Sequence, residues 1–190
     1  MAKPAVHAVD RRPLEWTKQA ALIVGASLFV AFCARITLPL PFTPVPLTLQ
    51  NFGVLTVALL LGSRRGFAAL ALYVVEGASG LPVFNPAGPG GVAQILGATG
   101  GFLMAYPFVA FLAGWIYERS RKNFAWAAFA GMLAELVLFA GGLGWLFALS
   151  HSLTQAIRWG LYWFVFAEVI KIMMAAAFAS RWNRRFSPQS

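Results

Sequence analysis

The chain has 190 residues, of which 59% are hydrophobic and 11% charged, with mean hydropathy +0.71. A soluble domain carries about 25% charged residues, so a soluble enzyme, a disordered chain and a secreted disulfide scaffold are all excluded. Fifteen Lys plus Arg against six acids give +9, but long uncharged stretches separate the basic residues. This is not the continuous basic face of a nucleic-acid binder, and no nucleic-acid partner is expected.

An apolar run of about 18 residues suffices to cross a bilayer as a helix. In chain order the runs are Gln19–Leu38, Leu47–Gly62, Gly66–Gly77, Gly97–Tyr117, Phe124–Leu149 and Trp159–Ala179. The second and third are short, and the basic turn Gly62-Ser63-Arg64-Arg65-Gly66 joins them. The expected fold is therefore all-α: one polytopic membrane domain over residues 1–190 with six transmembrane helices within about 19–180. Residues 1–18 form a cytoplasmic tail and 181–190 a basic one.

Basic loops stay on the cytoplasmic side. With both termini cytoplasmic, twelve of the fifteen basic residues fall on that side: Lys3, Arg11, Arg12, Lys18, Arg64, Arg65, Arg119, Arg121, Lys122, Arg181, Arg184 and Arg185. Reading 47–80 as one re-entrant element scatters these charges over both faces. The first run is too long and too far from the start for a removable signal peptide, and it is expected to stay as a helix. Cys33, the single cysteine, is expected to pack as a small apolar residue.

No Walker A, G-x-S-x-G or H-E-x-x-H pattern occurs, so no catalytic or metal site is expected. His7 and His151 read as solvated. The unusual feature is charge inside the apolar runs, which insertion scales set at about 2.5 to 3.5 kcal/mol per group and which faces a partner, cavity or substrate path. Glu168 and Lys171 stand three residues apart, on one helix face and within pairing reach. Glu135 and Glu76 have no opposite charge on their own helices. For Glu135, a hydrogen-bonded packing role and a place in a polar pathway both stay open.

Two connections complete the picture. Ala78–Gly97 is uncharged and rich in glycine and proline, with Asn85 and Gln94, and it reads as a lid folded onto the bundle mouth. Pro39–Pro46 keeps the chain extended and leads to Thr48, Gln50 and Asn51, polar groups suited to line the same mouth. Aromatic wall candidates are Phe84, Tyr73, Trp159 and Trp163. In the first run Ala21 with Gly25, and Ser27 with Ala31, repeat small residues at four-residue spacing, a pattern of close contact with another membrane helix.

Taken in order, Pro44-Val45-Pro46-Leu47-Thr48-Leu49-Gln50-Asn51-Phe52, Leu61-Gly62-Ser63-Arg64-Arg65-Gly66, Gly80-Leu81-Pro82-Val83-Phe84, Gly97-Ala98-Thr99-Gly100-Gly101-Phe102-Leu103 and Glu168-Val169-Ile170-Lys171 resemble the BioY family. Its members are biotin-specific substrate-binding (S) components of energy-coupling factor (ECF) transporters. The resemblance implies a six-helix protein of the bacterial cytoplasmic (inner) membrane that binds biotin as a transported ligand, with no cofactor. It also implies energisation by a T component and paired ABC-type ATPases, with Ala21, Gly25, Ser27 and Ala31 on the T-component contact. The family's usual Asp-x-x-Lys stands here as Glu168-x-x-Lys171, and the family's loop asparagine corresponds to Asn85. The competing readings are an S component for another vitamin, a structural subunit in which Glu168 and Lys171 only lock the bundle, and an intramembrane enzyme using Glu135 and Glu168 as acid and base.

Overall fold

The computed structural model describes residues 12–186, so His7, Lys3 and Arg11 lie outside the described residues. The elements in order are α1 (Arg12–Arg35), β1 (Thr37–Leu38), β2 (Leu47–Thr48), α2 (Gln50–Ala78), α3 (Gly91–Leu96), α4 (Gly100–Glu118), α5 (Phe124–Ser150), α6 (Leu153–Gly160) and α7 (Val165–Phe186). The fold is helical, as the composition requires. Its one addition is a two-residue antiparallel ladder, Thr37 opposite Thr48 and Leu38 opposite Leu47, which closes the proline-rich Pro39–Pro46 segment at its base. Helix α1 already begins at Arg12 and α7 runs on to Phe186, so both helices reach into the residues expected as tails. Polar helix-compatible residues extend each helix beyond its apolar run, and Glu15 pairs with Lys18 at 3.3 Å on the exposed first turns of α1.

Helix α2 is central, packing on α1, α4 and α7, while α5 packs on α4, α6 and α7. The expected basic turn inside α2 narrows to one residue. Gly62 takes φ +81 and ψ −178, backbone that L side chains rarely adopt, and the residues on either side stay helical. Eight residues apart in a straight helix, Gly66 and Ala58 would be separated by about 12 Å. Instead a Cβ on Gly66 would lie 3.4 Å from the Ala58 Cα, so the second arm folds back along the first. The Glu118 carboxylate at the end of α4 caps the new start, accepting from Ser63 N–H at 3.0 Å and from Ser63 Oγ at 2.7 Å. The arms, 50–61 and 63–78, are about 18 and 24 Å long. Both are shorter than a bilayer's hydrocarbon, and their burial among neighbouring helices supplies the contacts that lipid does not.

Close approach of α4 to α5 depends on glycine. A Cβ on Gly101 would fall 2.4 Å from the Gly141 carbonyl oxygen and 2.3 Å from the Trp145 Cβ. The buried core around these helices includes Tyr73, Leu55, Leu70, Val109 and Tyr117.

The last expected span departs from the sequence reading. Trp159 and Gly160 end α6, residues 161–164 form a turn, and α7 starts at Val165, with the two helices bent by 46°. The Thr43 hydroxyl donates to the Trp159 carbonyl at 2.7 Å, tying the proline-rich segment to the break. Glu168 and Lys171 therefore occupy the first turns of α7 and not the middle of a longer helix. Non-helical backbone at this depth is tolerated where it is buried or lines a cavity.

Among the described residues α1, α2, α4 and α5 are each long and apolar enough to cross a membrane, and α6 with α7 makes a fifth if the bent pair is one span. Large apolar side chains such as Phe32, Phe108, Leu136 and Phe166 are exposed around the perimeter. That much apolar surface is the mark of a membrane protein.

Candidate functional site

At one end of the bundle the proline-rich segment, the start of α2, the 79–99 connection, α4, α5 and the α6–α7 break surround a small cavity of about 50 Å³. Its polar lining is Thr48, Gln50, Asn51, Asn85, Thr99, Glu168 and Lys171, and its apolar wall includes Phe102, Leu103, Tyr106, Leu138, Phe139 and Phe164. An apolar wall with a few convergent polar groups is the pattern of a small-molecule site.

The polar side is one network. Lys171 Nζ donates to Glu168 Oε1 at 2.7 Å, and Asn51 Nδ2 donates to Glu168 Oε2 at 2.7 Å. The other amide hydrogen of Asn51 reaches the Glu135 carboxyl. All four side chains are buried. Helices α2, α5 and α7 thus meet on the Asn51 amide, and Glu135 joins the polar set rather than standing alone in α5. Three atoms in and beside this network have no hydrogen-bond partner among the described residues: Gln50 Nε2, Asn51 Oδ1 and Glu135 Oε2. Unpaired buried groups are costly, and a donor and an acceptor left open beside a cavity are poised for a ligand.

The 79–99 connection folds inward, as its apolar composition requires. Val83, Phe84 and Asn85 are buried, with the Phe84 ring over Gly77 and edge-on to Tyr73 at 5.4 Å. Tyr73 donates its hydroxyl to the Val83 carbonyl at 3.1 Å, and Arg35 donates to the Pro82 carbonyl. Asn85 accepts the Ala87 N–H at 3.2 Å, while buried Gln94 accepts the Gly90 N–H at 3.1 Å and closes the loop on itself.

Glu168, Lys171, Asn85 and Gln50 are therefore brought together on one cavity. Phe84 and Tyr73 are not part of its lining: they pack on each other behind the loop and anchor it. Trp163 and Trp159 also lie elsewhere. The Trp163 ring sits 4.2 Å from Phe42, and both tryptophans face an outer depression with Arg158 and Gln155. The turn at 161–164 rotates Phe164 inward in place of Trp163. The walls that sequence reasoning missed, Phe102, Tyr106, Leu138 and Phe139, lie on helices apolar all round, where no asymmetry marks an inner face.

The four small residues of α1 divide. Ala21 and Gly25 are exposed, Ala31 is half-buried against the core, and Ser27 is fully buried with its hydroxyl donating to Glu76. Ser27 faces α2 and not an outside partner. Cys33 is buried, as expected for a packing thiol.

The BioY family model matches residues 3–188, nearly the whole chain. The chain belongs to the BioY family. Among its relatives, the "Biotin transporter BioY" of Thermotoga maritima is 36% identical over 160 residues, 84% of this chain and 94% of that protein. The "Probable biotin transporter BioY" of Pyrococcus horikoshii is 35% identical over 157 residues, 82% and 91% of the two chains. A solved structure described as "the S-component for biotin from an ECF-type ABC transporter" superposes with TM-score 0.80 at 24% identity, covering 90% of this chain and 93% of that one. For this BioY chain that likeness establishes the overall fold.

Proposed function

We propose that the chain binds biotin in the cavity beneath the 79–99 connection and mediates its uptake. The observation that carries this is the buried Lys171–Glu168–Asn51 network opening onto a cavity with an apolar wall. Biotin's ureido ring has two N–H donors and one carbonyl acceptor, its fused thioether ring is apolar, and its tail ends in a carboxylate. Each oxygen of Glu168 spends one lone pair on Lys171 or Asn51 and keeps another, so a ureido N–H finds a charged acceptor already held in place. Gln50 Nε2 supplies a donor and Asn51 Oδ1 an acceptor for the same ring, and Lys171 has further N–H groups for the ureido oxygen or the tail. Hydrogen bonds to charged groups contribute about 1.5–3 kcal/mol each, and the wall of Phe102, Tyr106, Leu138, Phe139 and Phe164 takes the thioether ring.

In the same proposal the arms of α2 are two spans and α6–α7 is one, which gives six spans with both termini cytoplasmic in a bacterial cytoplasmic membrane. The chain carries no nucleotide motif, so energy comes from a separate T component and paired ABC-type ATPases. It acts as a transport component and not as an enzyme. Titrating purified protein with biotin tests the reading: tight, saturable binding, displaced by unlabelled biotin but not by thiamine or riboflavin, supports it. No binding, or competition by another vitamin alone, overturns it.

A further inference from the structure

At the end of the bundle where the second arm of α2 begins and α4 finishes, Arg64, Arg65 and Arg119 line a recess together with Ser63, Trp115 and Glu118. The Arg64 and Arg65 side chains are exposed and make no hydrogen bond or ion pair with any described residue. The Arg119 guanidinium lies 4.4 Å above the Trp115 ring, which holds it at the rim. The single acid, Glu118, is engaged on Ser63. Arg119 also donates to the Trp115 carbonyl at 3.2 Å, so three guanidinium groups surround one committed carboxylate, an excess of positive charge with no acidic partner among the described residues.

An apolar strip runs from this recess toward the bilayer interior. On α4 the exposed residues Phe108, Phe111 and Trp115 follow at three- and four-residue steps and lead to Arg119. Phe67, on the second arm of α2, meets Phe108 and Phe111 edge-on at 5.7 and 6.5 Å, so two helices share the strip. From Phe108 to Arg119 the helix rises about 16 Å, close to the roughly 15 Å depth of one leaflet's hydrocarbon. A headgroup-sized positive recess above a strip one leaflet deep complements a molecule with an anionic head and an acyl tail.

We propose that Arg64, Arg65 and Arg119 form a binding site for the phosphate of an anionic phospholipid whose acyl chain lies along Phe111, Phe108 and Phe67. The arginines offer paired N–H donors to phosphate oxygens, and basic residues near a membrane surface attract anionic lipid. This site is distinct from the cavity under the 79–99 connection and rests only on the chain being a membrane protein.

The test uses the full chain in bilayers with spin-labelled phosphatidylglycerol and phosphatidylcholine, and measures relative affinity from the motionally restricted fraction. Wild type is expected to prefer phosphatidylglycerol by about tenfold. The triple variant Arg64→Gln/Arg65→Gln/Arg119→Gln is expected to bring the ratio near one. A control triple, Arg181→Gln/Arg184→Gln/Arg185→Gln, keeps the preference, and the Arg→Lys version of the first triple keeps most of it. Should the Gln triple fail to fold, Arg119→Gln alone is expected to lower the ratio severalfold. No preference in wild type, or equal loss in the control triple, overturns the site. So does displacement of the labelled lipid by inorganic phosphate, which would make the recess a site for soluble anions. Unchanged lipid preference in the Gln triple with loss of a co-purifying membrane protein would make the surface a protein contact and would equally overturn it. No biotin enters the readout, so its failure leaves the proposed vitamin binding untouched.

Discussion

The amide of Asn51, at the start of α2, donates to Glu168 on α7 at 2.7 Å across 117 residues of chain. Its second hydrogen reaches Glu135 on α5, so one side chain sets the spacing of two buried carboxyl groups. Asn51→Ala leaves both without that donor, at a cost of about 1–3 kcal/mol in stability, and releases Glu168 from its orientation toward the cavity. Biotin affinity should fall roughly tenfold or more. Asn51→Asp, which adds a third carboxylate, should be worse than Asn51→Ala. Titration calorimetry and thermal melts on the purified variants check both, and wild-type affinity in Asn51→Ala would remove the orienting role.

The Glu168–Lys171 pair separates a packing role from a binding role. Removing one member of a buried ion pair strands the other and costs about 3–5 kcal/mol, whereas replacing both by apolar residues is often neutral. Glu168→Ala and Lys171→Ala should each melt earlier. The double variant Glu168→Leu/Lys171→Met should recover most of the melting temperature while biotin binding stays lost. Recovery of binding along with stability would reduce the pair to a structural lock.

Much of this site was legible before any coordinates, for one physical reason: charge in an apolar span is costly, so Glu168, Lys171 and Glu135 stood out at once. The lid was legible too, because an uncharged loop full of glycine and proline has to bury itself. The break at 161–164 was not, since Leu161-Tyr162-Trp163-Phe164 is as apolar as a continuing helix and carries no proline. What decides it is tertiary, the Thr43 bond to the Trp159 carbonyl, and with the break went the choice of wall. The break inside α2 falls within the basic turn that the sequence marks, and it narrows to Gly62 because Glu118, 56 residues on in the sequence, caps Ser63 and lets the helix restart at once.

That change of wall has a direct consequence. Phe164 lines the cavity while Trp163, next to it, packs on Phe42 outside. Phe164→Ala should weaken biotin binding by about 2 kcal/mol or more, the scale of a lost large apolar contact. Trp163→Ala should leave affinity within a few fold of wild type. The reverse order in a binding titration would return the wall to Trp163.

The α2 reversal depends on Gly62 and its cap. A Cβ at Gly62 would sit 1.8 Å from Glu118 Oε1, on backbone with φ +81. Gly62→Ala therefore combines a strained backbone, about 1–3 kcal/mol, with displacement of the capping carboxylate, about another 1 kcal/mol. Glu118→Ala should show only the second part. Melting curves should place Gly62→Ala below Glu118→Ala, and Glu118→Ala below wild type. A Gly62→Ala variant as stable as wild type would mean that the reversal does not need this conformation.

The two halves of the small-residue pattern on α1 should behave oppositely, because they face different ways. Ser27 is buried and donates to Glu76 on α2, so Ser27→Ala should lower the melting temperature by the equivalent of about 1 kcal/mol whether or not a partner is present. Gly25 faces outward, and a side chain there meets nothing within 4 Å. Gly25→Leu should leave folding and biotin titration unchanged, since it touches neither the core nor the cavity. If a T component closes on this face of α1, the same bulk should block close helix approach and lower both co-purification with that component and uptake in cells supplying the ATPases. Wild-type assembly in Gly25→Leu would move the partner surface off this face of α1, while loss of assembly in Ser27→Ala at full stability would contradict the buried position assigned to Ser27.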